Sequence, residues 1–367
     1  MNKAYKFRIY PNREQEVLLS KTFGCCRFLY NAMLSDKIRE YQATGKMLMN
    51  TPAMYKKEYP FLKEVDSLAL ANVQLHLEKA YKNFFRRPSM GFPRFKSKHK
   101  DPNSYTTNLV NGNIVLGTGK LKLPKLGKIR IVQHREIPEG YCLKSVTVSR
   151  EPSGKYYASL LYEYDSSENQ TTVSNYQAAR ILGIDYAMHG MTVFSDELNA
   201  IYPGYLKNSE EKLAREQRKL SHCQKGSCNY QKQKQKVALC HEKVRNQRKD
   251  YIHKLTRKIA DTYDAVGVED LDMKAMSRCL NFGKSVMDNS YGMFREVLKY
   301  KLEEQGKKLV KTDRFFPSSK KCCMCGKVKK ELKLSERIYR CDCGSVMDRD
   351  KNAAINIREE ARRMLTA

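Results

Sequence analysis

The sequence predicts an α/β multidomain chain, and three observations carry that prediction. The hydrophobic period is helical up to about Phe85 and changes to two between Asn108 and Tyr164. Two apolar runs, Ile181-Leu182-Gly183-Ile184 and Ala265-Val266-Gly267-Val268, each stop at a carboxylate, with a long helical stretch between them. Five of the 12 cysteines fall between Cys322 and Cys343. Together they imply a strand feeding a helical module, a small antiparallel β-barrel or sheet, and a mixed α/β domain with helical and cysteine-rich insertions.

The elements follow in order. Tyr5, Phe7 and Ile9 alternate as in a strand, Pro11 ends it, and Asn12 with Gln15 three residues later is a helix-start signature. Leu18, Leu19, Phe23, Cys26, Leu29, Tyr30 and Met33 then recur at helical spacing. A second amphipathic helix runs from Ser67 to about Phe85 through Leu68, Leu70, Val73, Leu77 and Tyr81. Asn111-Gly112-Asn113, Gly117-Thr118-Gly119 and Pro152-Ser153-Gly154 are turn signals between short strands, and LKSVTVSR with KYYASLLYEY reads as a hairpin. The polar stretch from Asp165 to Asn175 is a linker. Beyond it come the strand ending at Asp185, a hairpin partner MTVFSD, and helix from about Leu206 to Thr262. The strand ending at Glu269, a helix carrying Phe294, Leu298 and Leu302, and a strand near Leu309 follow. The cysteine cluster and a terminal helix from about Asp350 complete the chain. The resulting boundaries are 1–10 with 105–170 for the barrel, 11–104 for the helical module, and 176–367 for the mixed domain. Within the last, the helical insertion is 206–262 and the cysteine-rich insertion 318–345. No internal repeat is present.

The 367 residues carry 69 Lys+Arg against 40 Asp+Glu, a formal charge of +29. With 41% hydrophobic and 30% charged residues the composition is globular rather than disordered. Such an excess of positive charge calls for a polyanionic partner, and nucleic acid leads. The opening MNKAYKFRIYPNREQ has no signal-peptide pattern, and no run reaches the roughly 18 apolar residues of a membrane span. The ending RRMLTA has no lipidation signal. The expectation is a soluble, cytoplasmic protein without a membrane partner.

In a reducing compartment, clustered thiols read as a metal site and scattered ones as small apolar side chains. Cys322-x-x-Cys325 and Cys341-x-Cys343-Gly344 form two knuckles suited to a tetrahedral, structural Zn²⁺. The second knuckle is one residue shorter than the usual C-x-x-C, and Cys323 is either a spare thiol or a competing ligand. A rival set, Cys223, Cys228, Cys240 and His241, has the spacing of no common finger. Asp185 and Glu269 close the two apolar strands, and Asp350 opens the terminal helix. Carboxylates at the ends of adjacent buried strands can hold two Mg²⁺ for phosphodiester hydrolysis. Spacing alone is also compatible with solvated strand ends.

These residues carry a resemblance. The sequence resembles the TnpB (OrfB) family of insertion sequences, relatives of the type V CRISPR effectors, over nearly its whole length. YKFRIYPNREQ with KTFGCCRFLYN resembles the family's N-terminal module, and GFPRFKSK its basic linker. GIDYAMHG, VGVEDLDMKAM, SSKKCCMCG and CGSVMDRDKNAAINI resemble its nuclease core and zinc ribbon. The resemblance implies an RNase H-like (RuvC-type) core at 176–367, a wedge-like barrel and a helical recognition module. It implies the catalytic triad Asp185, Glu269 and Asp350, with Asp348 ranked second because the family's aspartate stands two residues before the Asn, here Asn352. Tyr186-Ala187 in place of the commoner Leu-Gly and the shortened knuckle depart from the pattern without removing a carboxylate. The implied partners are a guide RNA encoded beside the gene and double-stranded target DNA next to a short adjacent motif. The implied location is a prokaryotic cytoplasm, at the nucleoid when DNA is bound.

Two basic regions are candidates for nucleic acid. Residues 211–260 hold 15 Lys+Arg against 4 Asp+Glu, too uneven for simple pairing along a helix. Arg245, Arg248, Lys249, Lys254 and Arg257 are candidates there for backbone contacts. In YKNFFRRPSMGFPRFKSKHK, Arg86, Arg87, Arg94, Lys96 and Lys98 lie beside Phe92 and Phe95, a pattern suited to RNA or single strands, while Phe84 and Phe85 equally suit a core. Three functions follow: an RNA-guided DNA endonuclease, which is favoured; a DNA-binding repressor with a silent core; and a transposase. RNase H-like folds serve both cleavage and strand transfer, so the carboxylates do not separate the first from the third.

Overall fold

The structure, a computed structural model, describes residues 1–165, 176 and 179–367, apart from 188–189, 199, 201, 273–275, 277–289 and 334. Its two compact units are Met1–Asp165 and Ser166–Ala367.

In the first unit, β1 (Asn2–Tyr10) leads into α1 (Arg13–Thr44), which starts where expected, with a capping box between Asn12 and Gln15. Helices α2 (Pro52–Glu58) and α3 (Ser67–Arg86) follow, then β2 (Asn103–Asn108), β3 (Val115–Gly117), β4 (Lys120–Leu123), β5 (Gly127–Val132), β6 (Cys142–Arg150) and β7 (Tyr156–Glu163). The strands form a seven-stranded sheet in the order β2-β6-β7-β1-β5-β4-β3. The first strand of the chain therefore sits inside the sheet, antiparallel to β7 and β5. The helical stretch and the strands, read as two modules, share one apolar core: Leu19, Leu29 and Met33 of α1, Leu70 and Leu77 of α3, and Phe7, Ile9, Val146 and Leu160 of the sheet.

The second unit is built on a four-stranded sheet in the order β11-β10-β8-β9, with β8 Ile181–Ala187, β9 Met191–Phe194, β10 Ala265–Glu269 and β11 Lys308–Thr312. Strand β10 runs parallel to both β8 and β11, and β9 returns antiparallel to β8 as the expected hairpin. The long helical stretch is two helices, α4 (Tyr205–Ser221) and α5 (Cys228–Thr262), with Ser227 capping the second. Helix α6 (Tyr291–Glu304) packs on α5, and a short hairpin, β12 (Ile338–Arg340) and β13 (Val346–Asp348), precedes the terminal helix α7 (Arg349–Thr366). Among the described residues no helix is long and apolar enough to cross a membrane.

Two glycines decide where α7 lies. Gly183 and Gly267 are registered partners on β8 and β10. A Cβ on Gly183 would meet the Ala354 carbonyl oxygen at 2.0 Å, and one on Gly267 would meet the Ala361 Cβ at 2.7 Å. The helix answers with Ala353, Ala354 and Ala361, all buried, so backbone approaches backbone without intervening side chains.

Candidate active site and metal centre

Side chains alternate across a strand, so residues two apart share a face. Asp185 stands two residues after Gly183, and Glu269 two after Gly267. Both carboxylates therefore lie on the face that α7 covers, at the carboxyl ends of adjacent parallel strands. Asp350 enters from the first turn of α7. Three segments far apart in sequence thus converge, and their charges act on one another. Burial, then Glu269, then Asp350 push the Asp185 carboxyl well above the usual carboxylate range. Glu269 is likewise raised, by burial first and by Asp350, against a hydrogen bond from Ser318 that favours its ionised form.

The neighbours orient these groups. Ser318 Oγ donates to Glu269 Oε1 at 2.5 Å. Arg349 donates to Asp350 Oδ1 through Nε at 3.1 Å and through Nη2 at 3.0 Å, and Arg337 lies 3.6 Å from Oδ2. Asp348 acts on the helix instead, where its Oδ1 accepts the amides of Asp350 and Lys351, both at 2.9 Å, and caps α7. Tyr291 is fully buried, and Asp185 and Glu269 both act on its phenol. Its hydroxyl has no hydrogen-bond partner among the described residues.

The thiol cluster has tighter geometry. The sulfurs of Cys322, Cys325, Cys341 and Cys343 all lie within 4.8 Å of one another, with Cys322–Cys343 at 3.7 Å and Cys325–Cys341 at 3.6 Å. Zn–S bonds of about 2.3 Å in a tetrahedron put sulfurs about 3.8 Å apart, so the donor set fits zinc. Each knuckle closes on a left-handed glycine, Gly326 at φ 77° and Gly344 at φ 89°. The shortened knuckle still delivers both sulfurs, because Cys341 N–H donates to Ser345 O at 2.9 Å and the β12–β13 hairpin closes directly behind it. Against the penalty of burial, the amides of Cys325 and Met324 pull the Cys322 thiol down to about 6. Cys343, despite an amide from Ser345, is pushed up to about 12 by the thiols of Cys341 and Cys325. Four sulfurs this close cannot all ionise without a cation between them. Cys323 is the spare thiol: its sulfur faces Met347 Sδ at 3.5 Å. The rival set of Cys223, Cys228, Cys240 and His241 is not brought together among the described residues.

Sequence reasoning did not single out the residues that join the two sites. Asn352, Oδ1 accepting from Cys323 N–H at 3.0 Å and Nδ2 donating to Lys321 O at 2.7 Å, ties α7 to the first knuckle. One turn later Asn356 Nδ2 donates to Ser318 O at 2.8 Å and to Lys321 O at 2.6 Å. Ser318 is the residue that orients Glu269. The signals were present as a glycine two residues before each strand carboxylate and as Asn-x-x-x-Asn on one face of the terminal helix.

The basic candidates are not equivalent. Arg86 and Arg87 are exposed, and Arg94 is exposed 3.6 Å from Asp101. Lys96 is half-buried, its Nζ 4.0 Å from the centre of the Tyr30 ring. Phe85, Phe92 and Phe95 are exposed rather than core. On α5, Arg245 and Lys249 are exposed. Lys254 pairs with Asp250 at 2.8 Å and Arg257 with Asp261 at 3.6 Å, both weak surface pairs. Arg248 turns partly inward and donates to Tyr202 Oη at 3.3 Å.

Residues 159–280 match a family model described as "Probable transposase", residues 291–357 one described as "Cas12f1-like, TNB domain", and residues 1–46 one described as "Helix-turn-helix domain". Here residues 1–46 are one strand and a single continuous helix, not two helices about a turn. A protein of Streptomyces pristinaespiralis named "Putative RNA-guided DNA endonuclease" is 35% identical over 97% of this chain and 89% of its own. InsQ of Escherichia coli (strain K12), which carries the same description, is 29% identical over 96% of this chain and 91% of its own. A solved Cas12f1-sgRNA-target DNA complex superposes on 98% of both chains with a TM-score of 0.60 at 14% identity, a likeness of fold.

Proposed function

This chain belongs to the TnpB (OrfB) family, and from that membership we propose that it is the RNA-guided DNA endonuclease of a transposable element, cleaving DNA that pairs with a transposon-encoded guide RNA beside a short adjacent motif. The observation that carries the reading is the convergence of Asp185, Glu269 and Asp350 from three elements onto one face of a sheet in an RNase H-like (RuvC-type) arrangement. A repressor with a silent core has no use for three mutually repelling carboxylates, two of them held above their ordinary range.

The donor set is hard oxygen, and among the described residues only Asp350 of its three carboxylates is paired with arginine, which fits Mg²⁺. Bound there, magnesium would activate a water and stabilise the leaving oxygen of the phosphodiester. The protein's own part is orientation. Ser318 fixes one oxygen of Glu269, Arg349 holds Asp350, and the cap from Asp348 sets the first turn of α7 from which Asp350 projects. The cysteine cluster supports this from outside the chemistry, since Asn352 and Asn356 fasten the turn that leads into it, and with it Ser318, to α7.

The remaining roles follow the same reading. The strand-rich and helical parts of residues 1–165 act as wedge-like and recognition elements. Arg86, Arg87 and Arg94 with the exposed Phe92 and Phe95 contact guide RNA or unpaired strand, and Arg245, Lys249, Lys254 and Arg257 on α5 contact phosphates. Base pairing then reads the target sequence, while the protein reads a short motif and shape.

The test is co-expression with the flanking noncoding region, sequencing of the RNA that co-purifies, and challenge of a guide-matched plasmid library with randomised flanks in Mg²⁺, beside Asp185→Ala. A discrete RNA with depletion of particular flanks, lost in the variant, supports the reading. Target binding without cutting by the unaltered chain would make it a repressor, and strand transfer by the purified protein would make it a transposase.

A further inference from the structure

A cleft of about 270 Å³ opens between α1, α3 and β2 of the first unit. Its floor is apolar, with Phe23, Val73 and Tyr105 all buried. Its rim is cationic, with Arg27 from α1 and Lys96 from the GFPRFKSK segment. Lys96 is built into place: its N–H donates to Asn31 Oδ1 at 2.8 Å and its carbonyl accepts from Asn31 Nδ2 at 2.9 Å. Its ammonium is half-buried yet, among the described residues, has no ion pair or hydrogen bond through Nζ, only the face of Tyr30. Burial accordingly lowers its proton affinity. Arg27 is little better satisfied, with one long bond from Nη1 to Asn103 Oδ1 at 3.3 Å. Asp101, which also lines the cleft, acts on Lys96 and accepts from Ser97 N–H at 2.6 Å, but it is a single carboxylate facing Arg94 as well as Lys96 and Arg27, so positive charge stays in excess.

A half-buried ammonium whose Nζ makes no direct ion pair, in a cleft where cations outnumber carboxylates, costs free energy that an incoming anion recovers. An apolar floor behind two cations suits a planar base carrying a phosphate better than a free inorganic anion. The volume, just under the roughly 300 Å³ at which small-molecule pockets begin, admits one nucleotide and not a duplex. We propose that this cleft holds a single nucleotide of the bound nucleic acid, its phosphate between Lys96 and Arg27 and its base over Tyr105. The proposal rests on the reading of the chain as a nucleic-acid-guided nuclease and adds to it an anchor point that no surface charge supplies.

The experiment uses the full chain with its co-purified RNA, in two arms: 4-thiouridine in the RNA, or 4-thiothymidine in the target DNA. After irradiation, mass spectrometry locates the cross-linked peptides. An adduct on the peptide holding Tyr105 or Phe23 in either arm supports the site and identifies the strand that occupies it. Lys96→Gln and Arg27→Gln are then expected to weaken binding of that strand about tenfold each and to reduce its salt slope by about one, with Lys96→Arg close to the unaltered chain. Unchanged melting temperatures in these variants separate the effect from misfolding. The absence of such an adduct in both arms, with affinity and salt slope unchanged in the Gln variants, overturns the proposal. If the unaltered chain retains no RNA, the guided reading falls by itself, and the DNA arm still decides the cleft.

Discussion

The second unit holds two clusters of like-charged ligands that are built in opposite ways. The four thiols come from two short knuckles, and local backbone turns bring their sulfurs to zinc spacing without help from the sheet. The three carboxylates come from two strands and a helix, and among the described residues they do not form so tight a set. Arg349 holds Asp350 and Ser318 holds Glu269, while Asp185 is left buried beside them. The thiol site depends on local sequence; the carboxylate site depends on global packing. A structural site can be complete by itself, whereas a catalytic one must leave its charge unsatisfied until metal and substrate arrive.

The sharpest way to break that comparison is Asp185→Asn. It should abolish Mg²⁺-dependent cleavage while leaving guide and target binding intact, because Asp185 is buried among the carboxylates and is no part of the basic surfaces assigned to nucleic acid. It should also raise the melting temperature in chelator at neutral pH, since burial and two neighbouring carboxylates disfavour the ionised form that Asn cannot adopt. The sign follows from the direction of the shift. Asp185 is raised in the folded state, so its ionisation destabilises the fold as pH rises, and the gain from Asn should shrink as pH falls toward the ordinary carboxylate range. Equal melting temperatures of the two proteins in chelator at neutral pH would mean that the carboxylates are not in conflict.

Cys325→Ser tests the other cluster. The zinc-to-protein ratio should fall from about one to near zero, with a large loss of thermal stability, because binding energy at such a site is folding energy. Unchanged zinc content would refute the four-thiol centre. Cleavage should fall as well, because the first knuckle is bonded to Asn352 of α7.

Between the two lies Gly183→Ala. The added methyl would sit 2.0 Å from the Ala354 carbonyl oxygen, a clash that no side-chain rotation relieves. Overpacking of this kind costs about 1–3 kcal/mol. Here it should also displace the first turn of α7 from the carboxylates, so cleavage should drop by more than stability does. Full cleavage activity in this variant would mean that the placement of α7 does not set the site.

Legibility in the sequence followed the same divide between local and global. The helix start at Asn12, the β8–β9 hairpin and both cysteine knuckles are written in neighbouring residues, and each formed as its pattern predicts. The sharing of one core by α1, α3 and the seven-stranded sheet was not readable, because apolar periodicity names a buried face and not its partner. Lys96 looked like any residue of a basic run, and only the placement of Tyr30 and Asn31 one helix away makes it half-buried. At the carboxylates, spacing alone left solvated strand ends open as an alternative. The paired glycines that admit α7 gain their meaning only when β8 and β10 are set in register.

The smallest effect is the most informative about how the two clusters are joined. Ser318 stands at the entry to the zinc ribbon, its carbonyl held by Asn356 of α7 and its hydroxyl on Glu269. If it only packs, Ser318→Ala should be silent. If it orients a metal-binding carboxylate, as the 2.5 Å bond argues, the variant should raise the Mg²⁺ concentration needed for half-maximal cleavage about tenfold or more, the usual cost of losing such a partner. The pH profile separates these cases. Burial already raises the Glu269 carboxyl, and the Ser318 hydrogen bond opposes that rise. Removing the bond lifts the carboxyl further, so the acidic limb of the cleavage profile should move to higher pH. Ser318→Thr, which restores the hydroxyl, should return both the metal requirement and the acidic limb toward those of the unaltered protein. A variant whose metal requirement and acidic limb both match the unaltered chain would leave the ribbon as a fastening only, with no part in setting the carboxylates.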